Sequence, residues 1–132
     1  MALNNIATSV RDTLCDAFVD AIDGGTSNGV IQIYTAAFGT LLAALAFSDP
    51  AFGSSSSGTA TASAITDDSS ADAGGTAAVF RVSTTNDGST PVTTLFEGTV
   101  GTSGQDINFN TVGWSAGDTI SISSMTVTQP AS

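Results

Sequence analysis

Residues 77–98 read AAVFRVSTTNDGSTPVTTLFEG. Two runs of branched and aromatic residues, Ala77 to Ser83 and Val92 to Gly98, flank Asn86-Asp87-Gly88. Asn, Asp and Gly tolerate the backbone conformations of a tight turn, so the stretch predicts an antiparallel hairpin. Where the hairpin register permits, Arg81 and Glu97 form a cross-strand ion pair. Such a pair is worth under about 1 kcal/mol when exposed.

The same texture extends both ways from the hairpin. Upstream, Gly29 to Thr35 (GVIQIYT) is rich in branched residues and follows the turn at 24–29. Gly39 to Phe47 (GTLLAALAF) has helix-favouring composition, but its length and flanks predict a buried strand. Ser48-Asp49-Pro50 ends it. Thr59 to Ile65 alternates hydroxyl and methyl with period two, the pattern of a half-buried strand. Downstream, 99–102 and 105–110 continue the short strands, and Asp118 to Thr128 is the longest candidate. Ile120 and Ile122 share one parity while Met125 and Val127 take the other, so a β-bulge at Ser123-Ser124 is expected. Short strands with turn signals every 8–12 residues predict a mainly β fold, an antiparallel β-sandwich or jelly-roll-like barrel.

One segment breaks the rhythm. Residues 5–23 predict the single α-helix, N-terminal to the sheets, with Ile6, Val10, Leu14, Ala17, Phe18, Ala21 and Ile22 as its apolar stripe. Asn4 or Asn5 is the expected cap and Gly24-Gly25 the stop. Asp12, Asp16 and Asp20 fall on the opposite face, where like charges at i, i+4 repel. Such a helix must dock through its stripe to hold. The whole chain, 1–132, reads as one domain, with the sheets spanning 29–128.

Composition restricts the chemistry. The 132 residues contain no histidine, two basic residues (Arg11 and Arg81), 12 acids and a net charge of −10. His is the usual acid/base group near neutral pH, and Lys and Arg are the usual grips on phosphate. A net charge of −10 opposes nucleic acid and anionic membranes as partners. A serine or cysteine nucleophile has no His base, so Cys15 reads as a small buried hydrophobe. Gly101 to Gly104 lacks the Gly-Lys-Ser/Thr of a phosphate loop. Glu97 is the only glutamate, and no second acid signals a glycosidase cleft. Asp67, Asp68 and Asp72 could begin a calcium site, but their spacing is not that of an EF-hand and turn chemistry accounts for them. The reading is a non-enzyme with no catalytic residues, no metal and no cofactor. Its 19 alanines imply a thin core, which favours oligomerisation. The start of the chain shows no basic region and no long apolar run, so cytosolic synthesis is expected.

Four residues stand out as possible interface positions. Phe52 and Trp114 flank Gly-rich turns, where an aromatic plugs the end of a barrel, anchors an interface or stacks on a sugar. Arg81 could pair with an acid across subunits. Arg11, beside Asp12, completes the set.

The stretches GVIQIYT, GTLLAALAFSDPAFG, GTATASAITDDSSADAGGTAAVFRV and FEGTVGTSGQDINFNTVGWSAGDTISISSMTVTQP resemble small structural proteins of tailed bacteriophages, of the head-decoration or cement type. The likeness runs from the helix to the last strand. In that group the segment between the IYT strand and GTLL is often longer than the Ala36-Ala37-Phe38-Gly39 found here. The resemblance implies a β-rich virion protein, a homo-oligomer and in particular a trimer, made in the host cytoplasm and located on the capsid surface. Its partner there would be the major capsid protein, whose subunits it would bridge. A tail, baseplate or fibre component, with host-glycan binding through Trp114, fits the same residues.

Overall fold

A computed structural model of the chain describes residues 3–88 and 90–132. The fold is mainly β with one N-terminal α-helix, built round a curled, antiparallel-rich sheet. That sheet holds β1 (Ser27–Tyr34), β2 (Leu41–Ala46), β5 (Val79–Thr85), β6 (Pro91–Gly101) and β7 (Ile107–Asn108), in the order β2-β1-β5-β6-β7. Two short ribbons face it: β3 (Thr59–Thr61) with β9 (Thr126–Thr128), and β4 (Gly75–Thr76) with β8 (Gly113–Trp114). The β6–β7 contact is parallel, while every other strand pairing is antiparallel.

The hairpin at 77–98 forms as β5 and β6, with Arg81 opposite Glu97. β1 packs along the other edge of β5, so the period-two patterns of three strands line up in register. One transverse row is Ala43-Ile33-Phe80-Gly98 and the next is Leu45-Ile31-Val82-Phe96. Ile31, Ile33, Ala43, Leu45 and Val82 are fully buried. Each large aliphatic side chain removed from water contributes about 1.5–3 kcal/mol, so these rows are the centre of the hydrophobic stabilisation. The ring of Phe80 lies over Gly98, where a Cβ would come within 2.4 Å of it. The GTLLAALAF segment is a strand because β1 offers it a ladder and a buried face, which outweighs the helix preference of Leu and Ala.

Several expectations need correction. The helix, α1, spans Thr8–Asp20 and continues as a 3-10 turn at Ala21–Gly24. Ala7 occupies the N-cap position, with no side-chain cap from Asn4 or Asn5. The expected strands 92–98 and 99–102 are one strand, β6 (Pro91–Gly101), because β5 pairs along it from Pro91 to Thr99. Of 59–65 only Thr59–Thr61 forms a ladder, and of 118–128 only Thr126–Thr128. Met125 and Val127 are half-buried while Ile120 and Ile122 are buried, so the change of parity is real. No bulge produces it: among the described residues Ser121 to Ser124 has no partner strand in which a bulge could form. The irregularities in the main sheet lie elsewhere, one of them in β6 at Leu95.

The 3-10 turn and β1 are closely apposed to the end of β5. A Cβ on Gly25 would lie 2.1 Å from the Thr85 carbonyl oxygen, and Thr85 is fully buried. Backbone on both sides leaves no flexible atom to yield. Gly25→Ala is therefore expected to lose about 3 kcal/mol in urea unfolding. Gly113→Ala, with nothing within 4 Å of its Cβ, is expected to stay within about 0.5 kcal/mol.

Candidate interaction surface

The Gly/Ser loop at 53–58 leaves backbone N–H groups without a ladder, and α1 carries aspartates at four-residue intervals. The two meet. Asp16 Oδ1 accepts the Ser55 N–H at 2.7 Å and Asp12 Oδ1 accepts the Gly58 N–H at 2.6 Å. Ser55 Oγ donates to the Asp12 carbonyl at 2.9 Å. Just past the helix, the Asp23 carboxylate accepts the Ala51 N–H at 3.0 Å. Hydrogen bonds to a charged acceptor are the stronger class, and each satisfies a donor the loop would otherwise leave to water. Gly58 holds a left-handed φ of 79°, and a Cβ there would come within 2.9 Å of the Gln129 carbonyl, so the loop can close on the helix only with glycine at this point.

This docking rotates α1 away from its expected orientation. The buried residues on the helix are Cys15 and Val19, followed by Ile22 in the 3-10 turn. Cys15 donates its S–H to the Val127 carbonyl at 3.3 Å. Val10, Leu14 and Phe18, three of the seven residues of the expected core stripe, are 49%, 45% and 44% exposed, and Leu3 is 51% exposed. The physical reason is competition for one face. Asp12 and Asp16 flank Cys15 on the helix surface, and their hydrogen bonds to the loop bring that side inward.

Phe18 marks the border of a groove. Its ring packs on Phe96 at 4.9 Å, and Phe96 meets Phe80 edge-on at 6.3 Å. The groove encloses ≈ 580 Å³ between the β6–β7 end of the main sheet and the segment 121–127, with Phe109 and Ile122 among its apolar walls. Glu97 and Asp106 supply its negative charge. Asp106 Oδ2 also accepts the Thr99 N–H at 2.9 Å. Sequence reasoning missed Phe18, Phe96 and Phe109 as groove residues, because aromatics in a β-rich chain read as core.

The four expected interface positions are not brought together. Phe52 is 5% exposed and packs on Phe47, and Trp114 is 8% exposed, edge-on to Phe109 with its Nε1–H donated to the Thr111 carbonyl. Both serve this chain's own core. Arg11 reaches the Ser57 carbonyl at 3.5 Å and the Thr8 hydroxyl at 3.1 Å. Arg81 Nη2 lies 3.0 Å from Glu97 Oε1, and its guanidinium sits 4.3 Å from the Phe38 ring centroid. Phe38 and Ala37 both hold left-handed φ values, 54° and 58°. The strain of placing a bulky residue there is accepted by the turn that sets Phe38 over Arg81. Asp68 spends one oxygen on the Ala44 N–H and the other on the Ser70 N–H. Among the described residues no three His, Cys, Asp or Glu side chains converge as a metal site.

Comparison with protein-family models, with curated proteins and with solved structures finds no match for this chain.

Two predictions follow from the helix–loop contact. Asp16→Ala should cost about 1–2 kcal/mol and speed amide exchange at Ser55, whereas Asp20→Ala, on the exposed side, should stay within about 0.5 kcal/mol. The Asp23 carboxyl has its pKa raised, chiefly by desolvation, with Asp49 and Asp20 adding to the rise and the Ala51 N–H opposing it. A raised carboxyl pKa means that the folded state holds the proton more tightly than the unfolded chain, so ionisation costs stability as pH rises through it. Asp23→Asn keeps an acceptor for Ala51. It should raise the urea midpoint slightly at pH 7, and the difference from the parent should vanish below pH 3.8, the ordinary value.

Proposed function

We propose that this chain is a virion structural protein of the cement type, which binds the outside of a phage head and stabilises it by bridging major capsid subunits. It does so as a homo-oligomer, specifically a trimer, without catalysis. The observation that carries this reading is the stripe of Val10, Leu14 and Phe18 left on the outer face of α1. Scattered exposed hydrophobes are ordinary, but a row on one helix face beside an open groove marks a contact surface. Burying each such side chain contributes about 1.5–3 kcal/mol, so a modest patch repeated over many copies stabilises a shell. The resemblance of the sequence to cement proteins supports the same reading. The packing of the Trp114 ring edge-on to Phe109, with 8% of the residue exposed, favours the cement reading over glycan binding.

Quantitative mass spectrometry of purified particles tests the proposal. Hundreds of copies per particle are expected, and a handful would overturn it. Val10→Ser/Leu14→Ser, which leaves Phe18 on Phe96, should barely change monomer stability while weakening binding to undecorated heads at least tenfold. Unchanged binding would remove the stripe from the contact.

A further inference from the structure

The groove beside Phe18 has two walls of unpaired backbone. On the sheet side, Val100 donates its N–H to the Ala78 carbonyl, and alternation along β6 sends the N–H groups of Glu97 and Thr99 outward. Asp106 takes the Thr99 N–H. In β7, the outermost strand, Phe109 donates back to the Gly101 carbonyl, which turns the N–H and C=O of Asn108 the other way. The opposite wall is Ser121 to Ser124. It has the alternation of a strand, with Ile120 and Ile122 buried and Ser121 and Ser123 exposed. It is tethered at both ends, by Ile120 to Asp68 and by the Met125 carbonyl to the Ala62 N–H. Between these tethers no backbone hydrogen bond joins 121–124 to another described residue. A strand-like segment with no strand beside it thus faces a sheet edge with no strand beside it, across ≈ 580 Å³ lined with apolar side chains.

We propose that this groove is a strand-acceptor site that takes an extended, lysine- or arginine-bearing segment of another protein. The added strand hydrogen-bonds to the outer edge of β7 at Asn108 and to Ser121–Ser124, and sets alternate apolar side chains against Phe96 and Ile122, the geometry of β-strand addition. Charge selects the occupant. Asp106 lines the groove with no basic side chain beside it, in a chain of net charge −10, and both arginines are engaged, Arg11 with Ser57 and Thr8 and Arg81 with Glu97. A second copy would bring the same negative charge and no uncommitted arginine, so the strand comes from a cationic partner. The groove has this property whether or not the chain sits on a virion.

The test is amide NMR of the intact chain with a blocked nine-residue peptide of alternating Lys and Val. Saturable shifts and exchange protection are expected at Asn108 and Ser121–Ser124, with affinity falling as salt rises. The same peptide with a central proline should bind at least tenfold more weakly, and a Glu/Val peptide should not bind. Asp106→Asn, which keeps an acceptor for Thr99, should weaken the Lys/Val peptide about threefold with the spectrum otherwise intact. Equal binding of the proline peptide would reduce the effect to charge attraction and overturn the site. So would an absence of shifts at the named amides. Dimerisation through the same amides without peptide would overturn the choice of occupant. None of these results depends on particle copy number, so this site and the cement reading fail separately.

Discussion

Aspartate side chains reading the backbone of a small-residue loop hold the helical layer in place. The sheet side of the core is an ordinary set of interlocked aliphatic rows. The helix has no such rows to offer, with Cys15, Val19 and Ile22 as its buried contribution. What positions it is a run of carboxylate-to-N–H hydrogen bonds, from Asp12 and Asp16 to Gly58 and Ser55 and from Asp23 to Ala51. Carboxylates are strong acceptors, and a Gly/Ser loop is rich in amides that no side chain shields. The loop gains partners it could not supply itself, and the helix gains an orientation.

That orientation determines what the molecule presents to its surroundings. With Asp12 and Asp16 turned to the loop, α1 faces solvent with Val10, Leu14 and Phe18. Phe18 meets Phe96 at the mouth of the groove, so the exposed stripe and the groove are continuous. The negative charge is distributed by the same logic. Asp68 caps the Ala44 and Ser70 amides, Asp106 meets Thr99, and Asp118 accepts the Ser115 N–H. In a chain with two basic residues, the acids find their partners in the backbone.

Much of the sheet was legible in advance. Residues 77–98 carry both the alternation and the turn, and the GVIQIY run can bury Ile31 and Ile33 only by lying beside such a hairpin. Arg81 and Glu97 meet because register follows from that hairpin. The candidate site was far less legible. Phe52 and Trp114 attract notice through their flanking glycines, yet they plug the core. Phe96 sits in a strand where every aromatic reads as core, and its half-exposed position depends on Phe18 arriving from the other end of the chain.

The sequence by itself determined the central strands β1, β2, β5 and β6, the hairpin and the existence of one helix, because these follow from local periodicity and turn chemistry. Tertiary structure alone decided which way that helix faces and where the ladder stops. Periodicity gives α1 two possible inner faces, one apolar and one acidic, and only the distant loop amides at 51–58 select between them. Likewise Asp118 to Thr128 has the pattern of one long strand, but a strand requires a neighbour. Beside Ser121 to Ser124 the fold leaves a groove where that neighbour would lie.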